Sequence, residues 1–171
     1  RAFFDCLSLT SANFPKCTTI GSSAFNDCVN LTSINFPECT TIGPRAFYNC
    51  RFFLTSINFP ECTTIGSYAF CECRFLTSAN FPKCTTIEQG AFSSCYRLIS
   101  LYLLASSIVH LDSSNAFSST PIALYTPYTS EVYGSIYVPA SLLASYKSAT
   151  NWAYYSSRMV GLTDAQISAL G

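Results

Sequence analysis

Charged residues are scarce in this sequence. Nine basic and nine acidic residues make up 11% of the 171 residues, and the formal net charge is zero. Binding to nucleic acid or to an anionic membrane through charge needs a basic surface, which this balance does not supply. Long apolar runs are missing as well, since LISLYLLASSIV at 98–109 is too short and too polar for a membrane span of roughly 20 residues. We therefore expect neither nucleic-acid binding nor membrane insertion, and we recognise no signal peptide.

Residues that usually perform catalysis are also few. His110 is the only histidine, and although Asp112 lies two residues away, serine is so frequent that a Ser-His-Asp pattern is uninformative. The acidic residues form no pair by their spacing, and the glycines stand alone at turns rather than in a phosphate-binding loop. The single CxC motif at 71–73 provides too few ligands for a zinc site. The sequence therefore predicts no enzyme, no metal site and no cofactor.

Repeats, in contrast, are abundant. The segment LTSINFPECTTIG occurs at 31–43 and, unchanged, at 54–66, and LTSANFPKCTTI occurs at 9–20 and 76–87. Between these copies an Ala-Phe pair recurs at intervals of 22 or 23 residues. A fixed period of this length predicts stacked coils, because one coil can bury its apolar residues only against its neighbours.

Alternation within each repeat predicts a short strand. In LTSINFP, Ser33 and Asn35 point outward and Ile34 and Phe36 point inward. The following proline ends the strand, because it cannot donate to a continuing ladder. The TTI triplet can form a second short strand on the opposite side of the coil. About five such coils would stack into one parallel sheet roughly 20–25 Å wide.

These motifs resemble the BspA-like (Treponema-type) leucine-rich repeats, whose AFxxC and LTSIxxP motifs occur here as AFNDC, AFYNC, LTSINFP and LTSANFP. The resemblance extends from residue 1 to about 104, and the segment at 136–162 resembles the capping segment that often closes such arrays in bacteria. It implies a right-handed leucine-rich-repeat solenoid, mainly β, with a parallel concave sheet, short convex strands and turns, and a small α/β C-terminal cap. It also implies a cell-surface or secreted location.

We accordingly predict two regions. Residues 1–104 hold about five repeats of 22–23 residues, the first of them truncated, and residues 105–171 hold a degenerate last repeat and the cap. Because the chain opens inside a repeat, at RAFFDC, we expect it to be a piece of a longer protein. For its assembly we expect a monomer or a part of a longer multidomain chain.

The cap region carries several local predictions. Residues 135–138 are predicted to form the last strand, and Pro139 to open a helix that runs to about Lys147. Trp152 and Met159 are expected to pack beside this helix. The segment TDAQ at 163–166 resembles a capping box and indicates a short final helix. Three tyrosines are expected to extend a binding surface: Tyr125, Tyr128 and Tyr133.

Nine of the ten cysteines follow the repeat, and only Cys71 lies outside the two series. The series are Cys6, Cys28, Cys50, Cys73 and Cys95, and Cys17, Cys39, Cys62 and Cys84. In a stack the Cβ vectors of equivalent cysteines run parallel, so that their Cβ atoms stay about 5 Å apart, beyond the ~3.8 Å of a disulfide. We therefore predict two columns of reduced thiols, which behave as small buried apolar groups.

Outward-facing polar residues are the first candidates for a binding surface. They lie on the predicted concave sheet: Ser33, Asn35, Ser56, Asn58, Ser78, Asn80 and Tyr102. In one interpretation they form a structural amide ladder, in which each asparagine hydrogen-bonds the next. In the other they form a polar, uncharged trough for a peptide or a glycan, and the two interpretations can coexist.

Arginine and aromatic residues after each AFxxC motif are the second candidates. They are expected on the lateral or convex surface: Arg51, Phe52, Arg74, Tyr96 and Arg97. The coil at Phe52 and Phe53 has one extra residue, which must bulge outward because a stacked core cannot absorb it. These residue types are enriched at interface hot spots, although the rings could simply cover the edge of each coil.

The main functional hypothesis is a non-enzymatic recognition module that binds a protein or glycan ligand. Its setting, a bacterial cell-surface or secreted protein with a role in adhesion, is what the BspA-like resemblance implies. One alternative is a structural spacer without a ligand. Another is a carbohydrate-binding module accessory to an enzyme domain elsewhere in the chain.

Overall fold

Each repeat folds into one coil of a β-solenoid, with a longer strand on one side, the front, and a two-residue strand on the other, the back. A computed structural model describes residues 1–123 and 133–170. The front strands of the repeats are β1 (Ser11–Asn13), β3 (Ser33–Asn35), β5 (Ser56–Asn58), β7 (Ser78–Asn80) and β9 (Ser100–Tyr102). The back strands are β2 (Thr19–Ile20), β4 (Thr41–Ile42), β6 (Thr64–Ile65), β8 (Thr86–Ile87) and β10 (His110–Leu111). The predicted strand pair in each repeat is thereby confirmed, and the front corresponds to the side predicted to be concave.

Two columns of phenylalanine rings run through the core and hold the coils in register. The rings of the Ala-Phe pairs stack with centroids 5.0, 5.2, 5.2, 5.4 and 5.7 Å apart: Phe3, Phe25, Phe47, Phe70, Phe92 and Phe117. The rings that follow the front strands form the second column: Phe14, Phe36, Phe59 and Phe81. Since each ring is covered by rings of the neighbouring coils, an isolated coil would leave them exposed to water.

The solenoid has about six turns, one more than the five full coils expected. The degenerate repeat after residue 104 keeps its place in the stack, because Ala116 and Phe117 are fully buried and the amide of Phe92 donates to the Ala116 carbonyl at 2.8 Å. Thr120 replaces the cysteine of this repeat, and its buried hydroxyl donates to the Phe117 carbonyl at 2.7 Å. The division into 1–104 and 105–171 remains a prediction.

All pairings between these strands are parallel, but only the back sheet is continuous. Its order is β10-β8-β6-β4-β2. On the front, β1 pairs with β3 alone, and a second sheet begins at β5, continues through β7 and β9 and ends with two cap strands. The single front sheet expected from the sequence is therefore wrong, since it is divided between β3 and β5.

The extra residue before β5 accounts for this division. Phe52 and Phe53 are 43% and 52% exposed, so the insertion does bulge outward as predicted. It also displaces β5: the rings of Phe36 and Phe59 lie 6.2 Å apart, against 5.5 and 5.6 Å for the neighbouring steps of that column. Ile34 of β3 is consequently only half-buried, whereas its equivalent in β5, Ile57, is 4% exposed.

The cap follows the last coil and adds two strands, β11 (Ser135–Pro139) and β12 (Met159–Leu162), to the front sheet. Between them lie a 3-10 turn (Ala140–Leu142), helix α1 (Leu143–Ser148) and a second 3-10 segment (Ala153–Arg158). The strand predicted at 135–138 is thus confirmed as β11, but it is not the last strand, since β12 follows it and lies at the sheet edge. The helix after Pro139 is confirmed, although Pro139 itself ends β11.

Aromatic side chains attach the cap to the solenoid. Trp152 is 1% exposed, its Nε1 donates to the Val109 carbonyl at 2.7 Å, and its ring meets that of Tyr146 edge-on at 5.3 Å. The Tyr146 hydroxyl accepts a hydrogen bond from the Val109 amide at 3.0 Å. The final helix α2 (Asp164–Ser168) begins with the predicted capping box of Thr163 and Gln166.

We predict that the amides beside the division exchange with solvent faster than their equivalents elsewhere. Phe81 donates to the Tyr102 carbonyl at 3.0 Å and Thr77 to the Thr55 carbonyl at 2.8 Å, whereas the described residues provide no partner for the equivalent amides of Phe36 and Thr55. Hydrogen exchange followed by NMR should show at least about tenfold faster exchange at Phe36 and Thr55. If the Phe36 amide were as protected as that of Phe81, and the Thr55 amide as protected as that of Thr77, this result would contradict a divided front sheet.

We also predict that Trp152→Ala lowers the free energy of unfolding by about 3–5 kcal/mol, because it removes a buried ring and leaves the Val109 carbonyl without its donor. Tyr154→Ala is the control, since Tyr154 lies in the adjacent 3-10 segment but is 48% exposed. It should cost less than about 1 kcal/mol in the same urea titration. Similar losses in the two variants would show that Trp152 does not anchor the cap.

Candidate binding surfaces

The predicted serine and asparagine columns lie on the front strands, where register places equivalent residues side by side. Asn35 Nδ2 donates to Asn13 Oδ1 at 2.8 Å, and Asn80 Nδ2 donates to Asn58 Oδ1 at 3.0 Å. Across the division, no hydrogen bond between Asn35 and Asn58 is present in the described part of the chain. The amide ladder therefore exists within each front sheet and is interrupted between the two.

A depression of about 410 Å³, the front cleft, lies where β3 and β5 separate. Five of the seven predicted concave candidates line it: Asn35, Ser56, Asn58, Ser78 and Asn80. Ser33 and Tyr102 lie on the same side but outside this lining. The structure thus brings together residues of three coils around the place where the sheet is open.

The remaining lining of the front cleft is apolar, and none of its residues is charged. Ile34 and Ile57 contribute aliphatic surface, and Pro37 and Pro60 contribute the rings that follow β3 and β5. The Oδ1 atom of Asn80 is buried and has no hydrogen-bond partner. This atom is closed to a ligand. Among the described residues, the side-chain amide atoms left free at the division are instead Asn35 Oδ1 and Asn58 Nδ2, because Asn35 donates to Asn13 and Asn58 accepts from Asn80.

Ion pairs lie next to the front cleft. Glu38 follows Pro37 and pairs with Lys16 at 2.8 Å, and Glu61 follows Pro60 and pairs with Lys83 at 2.7 Å. The hydrogen bond to Glu38 raises the pKa of Lys16. These exposed pairs contribute little stability, but they neutralise the two carboxylates nearest the cleft.

The lateral candidates form separate cation–π pairs. The Arg51 guanidinium lies 4.8 Å from the centre of the Phe52 ring and that of Arg74 lies 5.7 Å from the Tyr96 ring. Arg97 covers the Phe75 ring at 4.2 Å, a contact between neighbouring coils. Arg74 also pairs with Glu72 at 2.8 Å. These arginines therefore partly cover the rings that precede the front strands.

Sequence reasoning missed the front cleft and Tyr137. The Tyr137 ring stacks on Tyr102 at 4.6 Å with the planes 12° apart, which extends the asparagine column as an aromatic pair. The signal was available, because Ser-Ile-Tyr at 135–137 matches Ser-Leu-Tyr at 100–102. Tyr133 is 67% exposed with Arg158 over its ring at 4.0 Å, and Tyr125 and Tyr128 lie outside the described residues.

The profile of the BspA type leucine rich repeat region matches residues 1–123 in six copies. The chain belongs to this family. Proteins of the BspA-type family and fold are typically non-enzymatic. Among curated proteins, none matches this chain in sequence.

Three solved structures of bacterial leucine-rich repeat proteins are similar to this BspA-type chain. The Treponema pallidum leucine rich repeat protein is 24% identical with a TM-score of 0.44, over 60% of this chain and 62% of its own. A leucine rich cell surface protein of Faecalibacterium prausnitzii A2-165 is 19% identical with a TM-score of 0.46, over 99% and 64%. A leucine-rich repeat protein of Bacteroides ovatus is 22% identical with a TM-score of 0.42, over 80% and 41%. The chain spans less than two thirds of the length of each.

Nine cysteines of the BspA-type repeats lie in the two predicted columns, Cys71 lies outside them, and all ten are free thiols. In one column the thiol donates to a phenylalanine carbonyl of the preceding coil, as from Cys50 to Phe25 at 3.2 Å. In the other it donates within its own coil, as from Cys62 to Thr64 at 3.3 Å. Burial raises the pKa of the Cys28 and Cys71 thiols from the usual 9.0 to about 11. Thiols held neutral in this way are poor nucleophiles.

Metal sites and membrane-spanning helices are not found in the described ranges 1–123 and 133–170. No group of three or more histidine, cysteine or acidic side chains there is arranged to hold a metal ion. None of the helices in those ranges has the length and apolar character needed to cross a bilayer.

The raised thiol pKa values predict that stability falls as the pH rises above about 9. In the unfolded chain the thiols lose their protons near pH 9.0. In the fold, burial raises the pKa of Cys84 to about 12, so that this thiol keeps its proton well above pH 9. Above pH 9 the unfolded state therefore binds fewer protons, and each buried thiol opposes folding by up to about 1.4 kcal/mol per pH unit.

Urea unfolding at pH 8 and pH 10 measures this effect, and the midpoint should be lower at pH 10. In Cys84→Ala the midpoint should change less between the two pH values, whatever the substitution costs at pH 8. A midpoint that is the same at both pH values in the unmodified protein would contradict the prediction.

Proposed function

We propose that this chain is a non-enzymatic recognition module that binds a protein or glycan ligand through the front side of its solenoid. The observation that carries the proposal is the front cleft, where Asn35, Ser56 and Asn58 meet on two front strands, β3 and β5, that do not pair. Polar groups of known spacing on a rigid scaffold can hydrogen-bond a ligand without being ordered by it, which lowers the entropic cost of binding.

The chemistry of the front cleft supports binding rather than catalysis. Its lining consists of isoleucine, proline, serine and asparagine, none of which titrates near neutral pH to serve as a general acid or base. His110, the only histidine, is exposed on back strand β10, on the opposite side of the coil. A serine nucleophile in the cleft would therefore have no base of this kind beside it.

A bacterial cell-surface or secreted location, and a role in adhesion, are further parts of the proposal. They are supported by the BspA-type family and by the similar Faecalibacterium protein, which is described as a cell surface protein. Two alternatives make different predictions. A spacer binds nothing, and an accessory carbohydrate-binding module binds glycans and is joined to an enzyme domain elsewhere in the chain.

Binding of the chain to extracellular-matrix proteins and to a glycan array tests the proposal. We expect Ser56→Ala/Asn58→Ala to weaken binding at least about tenfold, because it removes front hydrogen bonds. The triple variant Arg51→Ala/Phe52→Ala/Arg74→Ala alters only the lateral surface and is expected to bind like the unmodified chain.

Thermal unfolding of both variants controls for loss of the fold. The reverse result, with binding lost only in the triple variant, would move the site to the lateral surface. No binding by the unmodified chain to any probe would leave the spacer as the better account.

A further inference from the structure

We propose that the front cleft is a binding site for a neutral saccharide, whose hydroxyl groups enter the opening between β3 and β5. This inference rests on the proposed function, because it names the ligand class for the same surface. It follows from the unpaired backbone groups, the width of the opening and the uncharged lining.

The division between β3 and β5, beside the front cleft, leaves unpaired the backbone donors and acceptors that are paired at all the other steps of the described repeats. The amides of Phe14, Phe59 and Phe81 each donate to a carbonyl of the following coil at 3.0 Å. The equivalent bond from Phe36 to Asn58 is missing from the described chain, as is the bond from the Thr55 amide to the Thr32 carbonyl. A ligand that enters the cleft can therefore both donate to and accept from the main chain.

The opening is too narrow for a peptide strand. An added strand needs about 4.8 Å beyond the normal spacing, whereas the Phe36 and Phe59 rings are less than 1 Å farther apart than their neighbours. The back of the same two coils stays closed, since β4 and β6 are paired and the Thr63 hydroxyl donates to the Thr40 carbonyl at 3.1 Å. A hydroxyl group at the mouth of the cleft requires far less separation of the strands than an inserted strand does, and it combines a donor with an acceptor.

The walls of the front cleft suit a sugar ring. Asn35 Oδ1 can accept from a hydroxyl and Asn58 Nδ2 can donate to one, because neither atom is used in the amide ladder, and Ser56 adds a hydroxyl beside them. Pro37, Pro60 and Ile34 offer aliphatic surface to the C–H face of a ring. The volume of about 410 Å³ lies within the ~300–1,000 Å³ typical of small-molecule sites.

Charge favours a neutral ligand over an acidic one. The cleft has no cationic side chain, and the nearest carboxylates, Glu38 and Glu61, are already paired with Lys16 and Lys83. An anionic sugar such as a sialylated or sulfated one would lose hydration without gaining a counter-charge.

Deletion of Phe53 is the decisive test. It converts CRFFLTS at 50–56 into CRFLTS, the sequence at 73–78, and so restores the 22-residue period that closes the sheet elsewhere. The matched control is Phe53→Ser, which removes the ring but keeps the extra residue and hence the cleft. Closure is verified by slowed exchange of the Phe36 amide in the deletion variant.

The probes are an array of neutral oligosaccharides (cello-, malto-, manno-, xylo- and chito-oligosaccharides), an acidic set of hyaluronan fragments, and a displayed library of unmodified decapeptides. We expect a neutral oligosaccharide to bind the unmodified chain and Phe53→Ser equally, and the deletion variant at least about tenfold more weakly. Asn35→Leu leaves the sheet open but removes the free Oδ1 atom at its edge, and should weaken binding to a similar extent.

Other results overturn the inference in distinguishable ways. Saccharide binding that survives both the deletion and Asn35→Leu places the site elsewhere. Binding of peptides or hyaluronan alone, abolished by the deletion, shows that the ligand class is wrong while the proposed function stands. If the unmodified chain binds none of these probes and no matrix protein, the proposed function fails as well.

Discussion

The structure depends on the contact between one coil and the next. No single coil can bury Phe47 or Phe59, and each ring is enclosed only when equivalent rings lie above and below it. The same contact places thiols, threonine hydroxyls and asparagine amides in columns, because identical residues on stacked coils occupy identical environments. Near-identity of the repeats is therefore a packing requirement: a change at one inward position alters the contacts of two neighbours.

Stacking constrains the front and back of the solenoid differently. The extra residue at Phe53 lies between the buried Cys50 and the buried Leu54, on the connection that leads into β5. The back strand lies farther along the chain, so that β6 regains its register with β4, whereas β5 loses its pairing with β3. A single residue thus opens one face of the coil while the other face keeps its hydrogen bonds and limits how far the opening can extend.

Periodicity predicted those features that every coil shares. Cys62 and Asn80 could be assigned to columns because an equivalent residue occurs one period away. The front cleft could not be assigned in this way, since the sequence showed that the insertion near Phe53 must leave the core but not that it would separate two strands. Strand β12 was not predicted for a related reason. The segment Met159–Leu162 has no equivalent in the repeats, and its place in the sheet comes from pairing with β11.

Identical residues alone cannot make one position on a repeat array different from the others. The front strands of the two unchanged copies of LTSINFPECTTIG, at 31–43 and 54–66, lie on either side of the front cleft. The side chains of these two copies are the same as, or nearly the same as, those of the other repeats. A ligand that prefers the front cleft must therefore recognise the spacing of the side chains and the unpaired backbone groups. On our proposal, the specificity of ligand binding therefore comes from the one residue that departs from the 22-residue repeat. The surrounding coils contribute the rigidity that keeps the opening at a fixed width.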